Sequence, residues 1–416
     1  MTGWSLRVGR RSLLVMLACS PPVWAEQGPA LFEFYGKLYP EWKVQRYGDP
    51  ARAGAMVGHL GTLRNDRIRL TADARDKDDT SDLEWSNSYV GLKGHIQHSD
   101  LGLGYDIQAL IDLAGDGSLL QNFRDNLGTR DAFVYIEPPG FGRLAFGKMD
   151  SLYKDWGDRL GMFGVASSNI VSTSKVLSGT AWRGGGDATF HNRRSHTLSW
   201  TSPSWSGVEV GLAHSFDEYR EGPGGPDTTL SAAALRWRGD AWYVALAAEN
   251  HRDWLPMSLG AEPGPESIKN RPESTGSTDR AWRLSMEWRH APWRLAADVA
   301  SLNFEERDAI EQPGKFRDYS NVTWQIGAEY KLSDALRIAA NHARASAGRC
   351  TLSGGVACVT EGLGGWQTSL GVLYTLNTDL SAFALAVHTE NGGGGYGSAP
   401  QGADVDAYAL GLKYVF

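Results

Sequence analysis

The stretch that decides the fold is Val405 to Phe416, VDAYALGLKYVF. Tyr408, Leu410, Leu412, Tyr414 and Phe416 fall on one parity, and Ala407, Ala409, Gly411 and Lys413 on the other. Side chains of a strand alternate between its faces, so this segment offers one large apolar face and one small or charged face. Such a division suits a wall between lipid and water. A strand of a soluble sandwich alternates in the same way, so the pattern carries weight only if it recurs.

It recurs along the whole chain. Phe32, Phe34, Gly36, Leu38 and Trp42 alternate with Glu33, Tyr35, Lys37, Tyr39 and Lys43. Leu101, Leu103, Tyr105 and Ile107 alternate with Gly102, Gly104, Asp106 and Gln108, and Trp282, Leu284, Met286 and Trp288 with Arg283, Ser285, Glu287 and Arg289. Period two predicts strand in each case. Connection lengths alternate as well. Short turns fall at 98–100, 138–141, 203–207, 239–240, 290–292, 333–334 and 377–379. Long polar or Gly/Pro-rich segments lie near 46–84, 113–128, 150–191, 217–227, 252–279, 304–319, 346–364 and 391–404. Seven turns and eight loops join sixteen strands, the pattern of an outer-membrane barrel. Lipid offers no partner to a free backbone N–H or C=O, so such a sheet must close. The strand starting near Leu31 then pairs with the one ending at Phe416. The expected fold is all-β: a 16-stranded antiparallel transmembrane β-barrel with short periplasmic turns and long extracellular loops, wide enough to hold water.

Composition agrees. Fifty Gly, 16 Trp and 15 Tyr suit turns and aromatic girdles better than a helical core. No segment after residue 25 has 18 apolar residues in a row, so any membrane crossing is made by strands. Residues 1–25 have the anatomy of a secretory signal: Arg7, Arg10 and Arg11, then apolar Leu13 to Cys19, then a Val23-Trp24-Ala25 box. Cleavage after Ala25 leaves 26–416 as one barrel domain; a lipoprotein signal at Cys19 is the rival reading, poorly matched by Val15 to Ala18. The chain carries −7 at pH 7, and loss of three signal arginines makes it more acidic still, which argues against a nucleic-acid partner. Cys350 and Cys358, in a Gly/Ser-rich segment of an exported chain, read as a disulfide staple. Two thiols with no His between them give too few ligands for zinc, and nothing in the sequence points to a cofactor.

Several local pieces, in order, carry a family resemblance. They are Ser88 to Gly94 leading to Leu101-Gly102, Arg130 to Val134, Phe141 to Lys148, Leu152-Tyr153 with Phe163-Gly164 downstream, Leu198 to Pro203, and Tyr414-Val415-Phe416. Across nearly all of the mature chain the sequence resembles the trimeric general-diffusion porins of Gram-negative outer membranes. The resemblance implies passive diffusion of ions and small hydrophilic solutes through a homotrimer in the outer membrane, among its lipid and lipopolysaccharide. It also implies that the third long loop folds into the bore. Here that loop is Asp150 to about His191, opening MDSLYKDWGDRLGMFG, with Asp155 and Asp158 as the constriction acids.

The family sets such acids against basic residues on the facing wall. Lys37, Lys93 and Arg193 sit on the polar parity of early strands. Arg130 matches a basic position of the family but shares parity with Ala132, Val134 and Ile136. The inward-reading lysines and arginines of the strands, Arg283 and Lys413 among them, slightly outnumber the inward-reading acids, and the loop acids erode that excess. An aromatic end such as Tyr414 to Phe416 serves the outer-membrane assembly machinery in the family. Charges lining a neck set which ions pass, and the transport needs no catalytic step. The rival functions are a substrate-selective channel, an outer-membrane hydrolase and an adhesin. A hydrolase needs Ser and His side by side, whereas His196 and Ser199 lie on opposite faces of one strand.

Overall fold

A computed structural model describes residues 32–49, 78–85, 88–111, 127–159, 161–164, 170–179, 190–216, 228–253, 276–306, 316–352, 355, 360–392, 396 and 402–416. The strands are β1 (Glu33–Leu38 and Glu41–Tyr47), β2 (Thr80–Glu84 and Tyr89–His98), β3 (Leu101–Leu110), β4 (Leu127–Glu137), β5 (Arg143–Asp150) and β6 (Arg193–Thr201). They continue as β7 (Val208–Ser215), β8 (Thr229–Arg238), β9 (Trp242–Arg252), β10 (Ser277–His290) and β11 (Trp293–Glu306). The last five are β12 (Phe316–Lys331), β13 (Leu336–Ala345), β14 (Gly365–Thr375), β15 (Leu380–Asn391) and β16 (Val405–Val415). A short piece, Arg349–Leu352, prolongs β13 along the start of β12. Every neighbour is antiparallel, and each expected short turn lies between the strands assigned to it.

Closure is direct. Tyr47 to Glu41 of β1 run opposite Val405 to Gly411, and Lys37 opposite Val415. Phe416 completes the seam: its N–H donates to the Gly36 carbonyl and its own carbonyl accepts from Gly36 N–H at 2.9 Å. A side chain at Gly36 would strike the Phe416 ring at 2.6 Å, so glycine is required there. Pro40 cannot donate to the ladder and interrupts β1. The freed Tyr39 N–H donates instead to Ser88 Oγ at 2.8 Å, where β2 is interrupted at the same level.

The outer face follows the parity of the closing strand. Tyr408 and Leu410 are 47% and 56% exposed, while Ala407 and Ala409 are 2% exposed. The same holds for Phe34, Leu103, Trp282 and Ile326, all open on the outside. No helix among the described residues is long and apolar enough to cross a membrane. The buried core of this barrel lies inside the bore, where the third loop packs against the wall. The proposed signal, residues 1–25, and most of the long first loop lie outside the described residues.

Candidate functional site: the narrowed bore

The third long loop leaves β5 at Asp150 and turns inward. Helix α1 (Leu152–Gly157) starts at Ser151, whose Oγ accepts from Lys154 N–H. It lies against the inner wall of β7 to β10. Leu152, Tyr153 and Trp156 enter a cluster built largely of small wall residues, among them Ala234, Ala245, Ala247 and Ala281. Wall alanines leave room for the bulky loop residues. Gly211 makes the same provision, since a Cβ there would stand 2.9 Å from the Trp156 ring. The loop reaches the seam at a turn, Met162–Gly164, and returns through α2 (Ser174–Ser178) along β11 to β14. Met162, Phe163 and Val171 pack on Leu373 of β14, Phe383 and Leu385 of β15 and Ala409 of β16.

Polar ties fix both limbs. Arg283 of β10, 1% exposed, donates through Nε to Asp298 at 2.9 Å and holds loop Asp158 at 3.8 Å. Gln325 Nε2 donates to the other Asp298 oxygen at 2.6 Å and its carbonyl accepts from Thr173 of the returning limb. Thr323 Oγ1 donates to the Leu177 carbonyl at 2.7 Å. His191 Nε2 lies 2.8 Å from Asp158, joining the end of the loop to its beginning. Burial opposes the Asp158 charge, but His191 and Arg283 outweigh it and hold the carboxyl well below the usual carboxylate range.

Asp158 is therefore an anchor of the loop, whereas Asp155 one turn earlier is exposed to the bore. Crowding by loop and wall, with the Asp150 carboxylate nearby, raises the Asp155 carboxyl above its ordinary value. Arg159 lies over the Tyr243 ring at 4.6 Å, and Arg236 over Trp156 at 4.2 Å.

The wall facing the loop edge, β1 to β6, carries the expected bases. Arg193 donates to Asp131 at 2.9 Å and lies 3.1 Å from Asp150. Lys93 pairs with Glu33 at 3.0 Å and sits over the Tyr35 ring. Arg130 points inward: its Nε donates to Gln108 at 3.1 Å and its guanidinium lies 4.4 Å over Tyr89. A register shift between Ile107 and Ala109, opposite that part of β4, takes Arg130 off the parity of Ala132 and Val134. Lys37 donates to the Gly164 carbonyl at 3.2 Å and Lys413 to the Phe163 carbonyl at 2.8 Å. Periodicity placed Lys413 inside the barrel without marking it; its signal is its position beside the seam, which only closure reveals. Arg283 and His191 escaped the same way, because their partner Asp158 is remote in sequence.

Cys350 is disulfide-bonded and buried, and Cys358 lies outside the described residues. Tyr414 and Phe416 stack at 5.4 Å on the outer face, with Phe34 5.6 Å from Phe416. The described residues contain no cluster of His, Cys, Asp or Glu able to hold a metal ion.

A closed antiparallel barrel of sixteen strands, narrowed by an inward loop between charged walls, defines a diffusion channel of the outer membrane. The sequence pattern of the Gram-negative porin family matches residues 13–394, and the chain belongs to that family. No curated protein matches the sequence. Among solved structures, the anion-selective porin from Comamonas acidovorans is similar at 12% identity, covering 92% of this chain and 99% of that one, with a TM-score of 0.63. OmpT of Vibrio cholerae in trimer form (14% identity, 92% and 99% covered, TM-score 0.58) and Salmonella typhi OmpF with daunomycin (14%, 92% and 97%, 0.58) share the fold.

Proposed function

We propose that this porin is an anion-preferring channel for small hydrophilic solutes, working as a homotrimer and without catalysis. One observation carries the preference. Of the two loop acids, Asp158 is engaged by His191 and Arg283, leaving Asp155 open to the bore. On the opposite side, Lys37 and Lys413 are held by backbone carbonyls, and no described carboxylate is in ion-pair contact with either. Charge lining a narrow neck sets which ions enter, and here the uncompensated charge is positive. The relative from Comamonas acidovorans is named for anion selectivity, which points the same way. In this reading Asp155 is the constriction acid, Asp158 fixes the loop that bears it, and Lys37, Lys93, Arg130 and Arg193 form the basic wall. The test is the reversal potential of reconstituted channels in a potassium chloride gradient. The anion sign is expected, and a cation sign overturns the preference.

The remaining assignments belong to the same proposal. Residues 1–25 act as the export signal, and Cys350 pairs with Cys358. The trimer is supported by OmpT of Vibrio cholerae, a similar fold in trimer form. The segments Tyr89–His98, Leu101–Leu110, Leu127–Glu137 and Arg143–Asp150 are consecutive and contain no tryptophan, whereas β8 to β12 each hold at least one. Tryptophan marks a lipid interface, so β2 to β5 are better suited to neighbouring copies than β8 to β12. Tyr414 and Phe416 serve the assembly machinery. Deleting Phe416 should lower the yield of folded barrels while leaving the conductance of those that form unchanged.

A further inference from the structure

We infer that the loop tip and the closing seam form a binding subsite for small multi-oxygen anions, with Lys37 and Lys413 as the recognising groups; this rests on the anion-preferring reading above. The two lysines come from the first and last strands. Lys37 stands opposite Val415, and Lys413 lies two residues from Val415 on the same face, a diagonal relation that separates Cα atoms by about 7–8 Å. Their ammonium groups converge on adjacent carbonyls, those of Gly164 and Phe163.

That convergence is built. Phe163 and Gly164 both adopt positive φ, 54° and 70°, which for Phe163 is a strained conformation. The strain is held by three groups besides the lysines. Glu329 accepts from Phe163 N–H at 2.7 Å, Tyr39 Oη donates to the Gly164 carbonyl at 3.2 Å, and the Phe163 ring is buried against Gly371 and Leu385. Lys37 lies beside the rings of Tyr39 (5.1 Å) and Tyr89 (5.9 Å), with Arg130 over Tyr89 as well. The charges are thus fixed in place rather than free to swing on long side chains.

An ammonium has three N–H groups, and each lysine uses one on a carbonyl, leaving two for water or solute. The two ammonium groups repel each other; Glu329 offsets this only at Lys413 and without ion-pair contact, and an anion between the lysines relieves the rest. A phosphate or carboxylate can give separate oxygens to both ammonium groups through charge-assisted hydrogen bonds. Chloride offers a single centre and gains less from the pair. The subsite therefore discriminates among anions, a property distinct from preferring anions to cations.

Inorganic phosphate is the probe. Added to wild-type channels carrying chloride current in planar bilayers, it should reduce the conductance with a saturating dose dependence. Lys413→Gln and Lys37→Gln should each raise the half-blocking phosphate concentration by roughly tenfold, the loss of one charged contact. Lys413→Arg should keep the block. No block in the wild type, or an unchanged block in both Gln variants, overturns the subsite. A reversal potential in the same bilayers separates the two ideas, because an anion-selective channel indifferent to phosphate sinks the subsite alone. Should the Gln variants fail to fold, wild-type conductance in potassium phosphate decides: saturation supports the subsite and a linear rise refutes it.

Discussion

The two halves of the inner wall obey different rules. Along β1 to β6 the inward residues include many tyrosines, lysines, arginines and acids, and some of them, such as Lys93 and Arg143, stay open to water while Glu41 and Arg194 are buried. Tyr35 lies flat over Gly91 and Tyr135 over Gly104, where a Cβ would come within 2.5 Å and 2.2 Å of the rings, and Lys93 and Arg143 sit on those rings. From β8 to β16 the inward positions include Ala234, Ala247, Ala300, Leu302, Phe304, Leu385 and Ala409, buried beneath the loop. The outer face is apolar around both halves. Lipid imposes one pattern outside everywhere, whereas the inside is set by whether the loop covers it. The covered half is a protein core that happens to lie in a pore, and the open half is the channel.

If that division holds, the largest effect comes from breaking the covered half at its buried charge. Arg283→Met leaves Asp298 and Asp158 without their common cation, and loss of one partner of a buried pair costs about 3–5 kcal/mol. The loop should detach, giving larger and noisier openings and faster proteolysis within residues 150–191. Unaltered openings would falsify the role of Arg283 in holding the loop. Trp156→Ala removes the main ring of α1 from its alanine bed, and such core truncations cost about 3–5 kcal/mol where the site cannot collapse. Thermal unfolding of the purified barrel should shift to lower temperature, with the loop again the first part cleaved.

Acid should act differently on the two loop carboxylates. Asp155 is raised, so as pH falls it loses its charge before an ordinary aspartate and before Asp158, and anion preference should increase as pH falls through that raised value. Asp155→Asn should abolish the change. Asp158 is lowered, so its contribution to loop stability is complete above the ordinary carboxylate value and fades only as pH drops through its depressed one. The loop should therefore stay docked while selectivity shifts. The smallest effect is expected in the open half: Lys93→Ala removes a solvated pair worth at most about 1 kcal/mol. Melting should be unchanged and reversal potential only slightly less anionic; a marked loss of stability would show that this wall, too, is a packed core.

The barrel was legible in the sequence because each strand and turn is a local pattern that repeats. The seam was legible as well, since lipid leaves no other fate for the first and last strands. The site was only half legible. Asp155 and Asp158 look equivalent in sequence, and what separates them is contact with His191 and Arg283, which no spacing announces. Arg130 was misaligned by parity because a single register shift between Ile107 and Ala109 reverses the face. The covered wall did leave a trace. In β11 the outward Ser301 and Asn303 face lipid-side positions while Leu302 and Phe304 turn inward and are fully buried, so polarity inverts near the end of the strand.

The turn at Phe163 and Gly164 has a consequence for order in time. Its carbonyls are gripped by a lysine from the first strand and a lysine from the last, two segments that become neighbours only when the chain ends meet. A barrel still open along that line cannot bring both lysines to the loop tip, which is then left to Glu329 and the packing of the Phe163 ring. The narrow passage is therefore finished by the same event that finishes the wall, and an incompletely assembled molecule is not a leaky version of the channel but one whose filter has yet to exist.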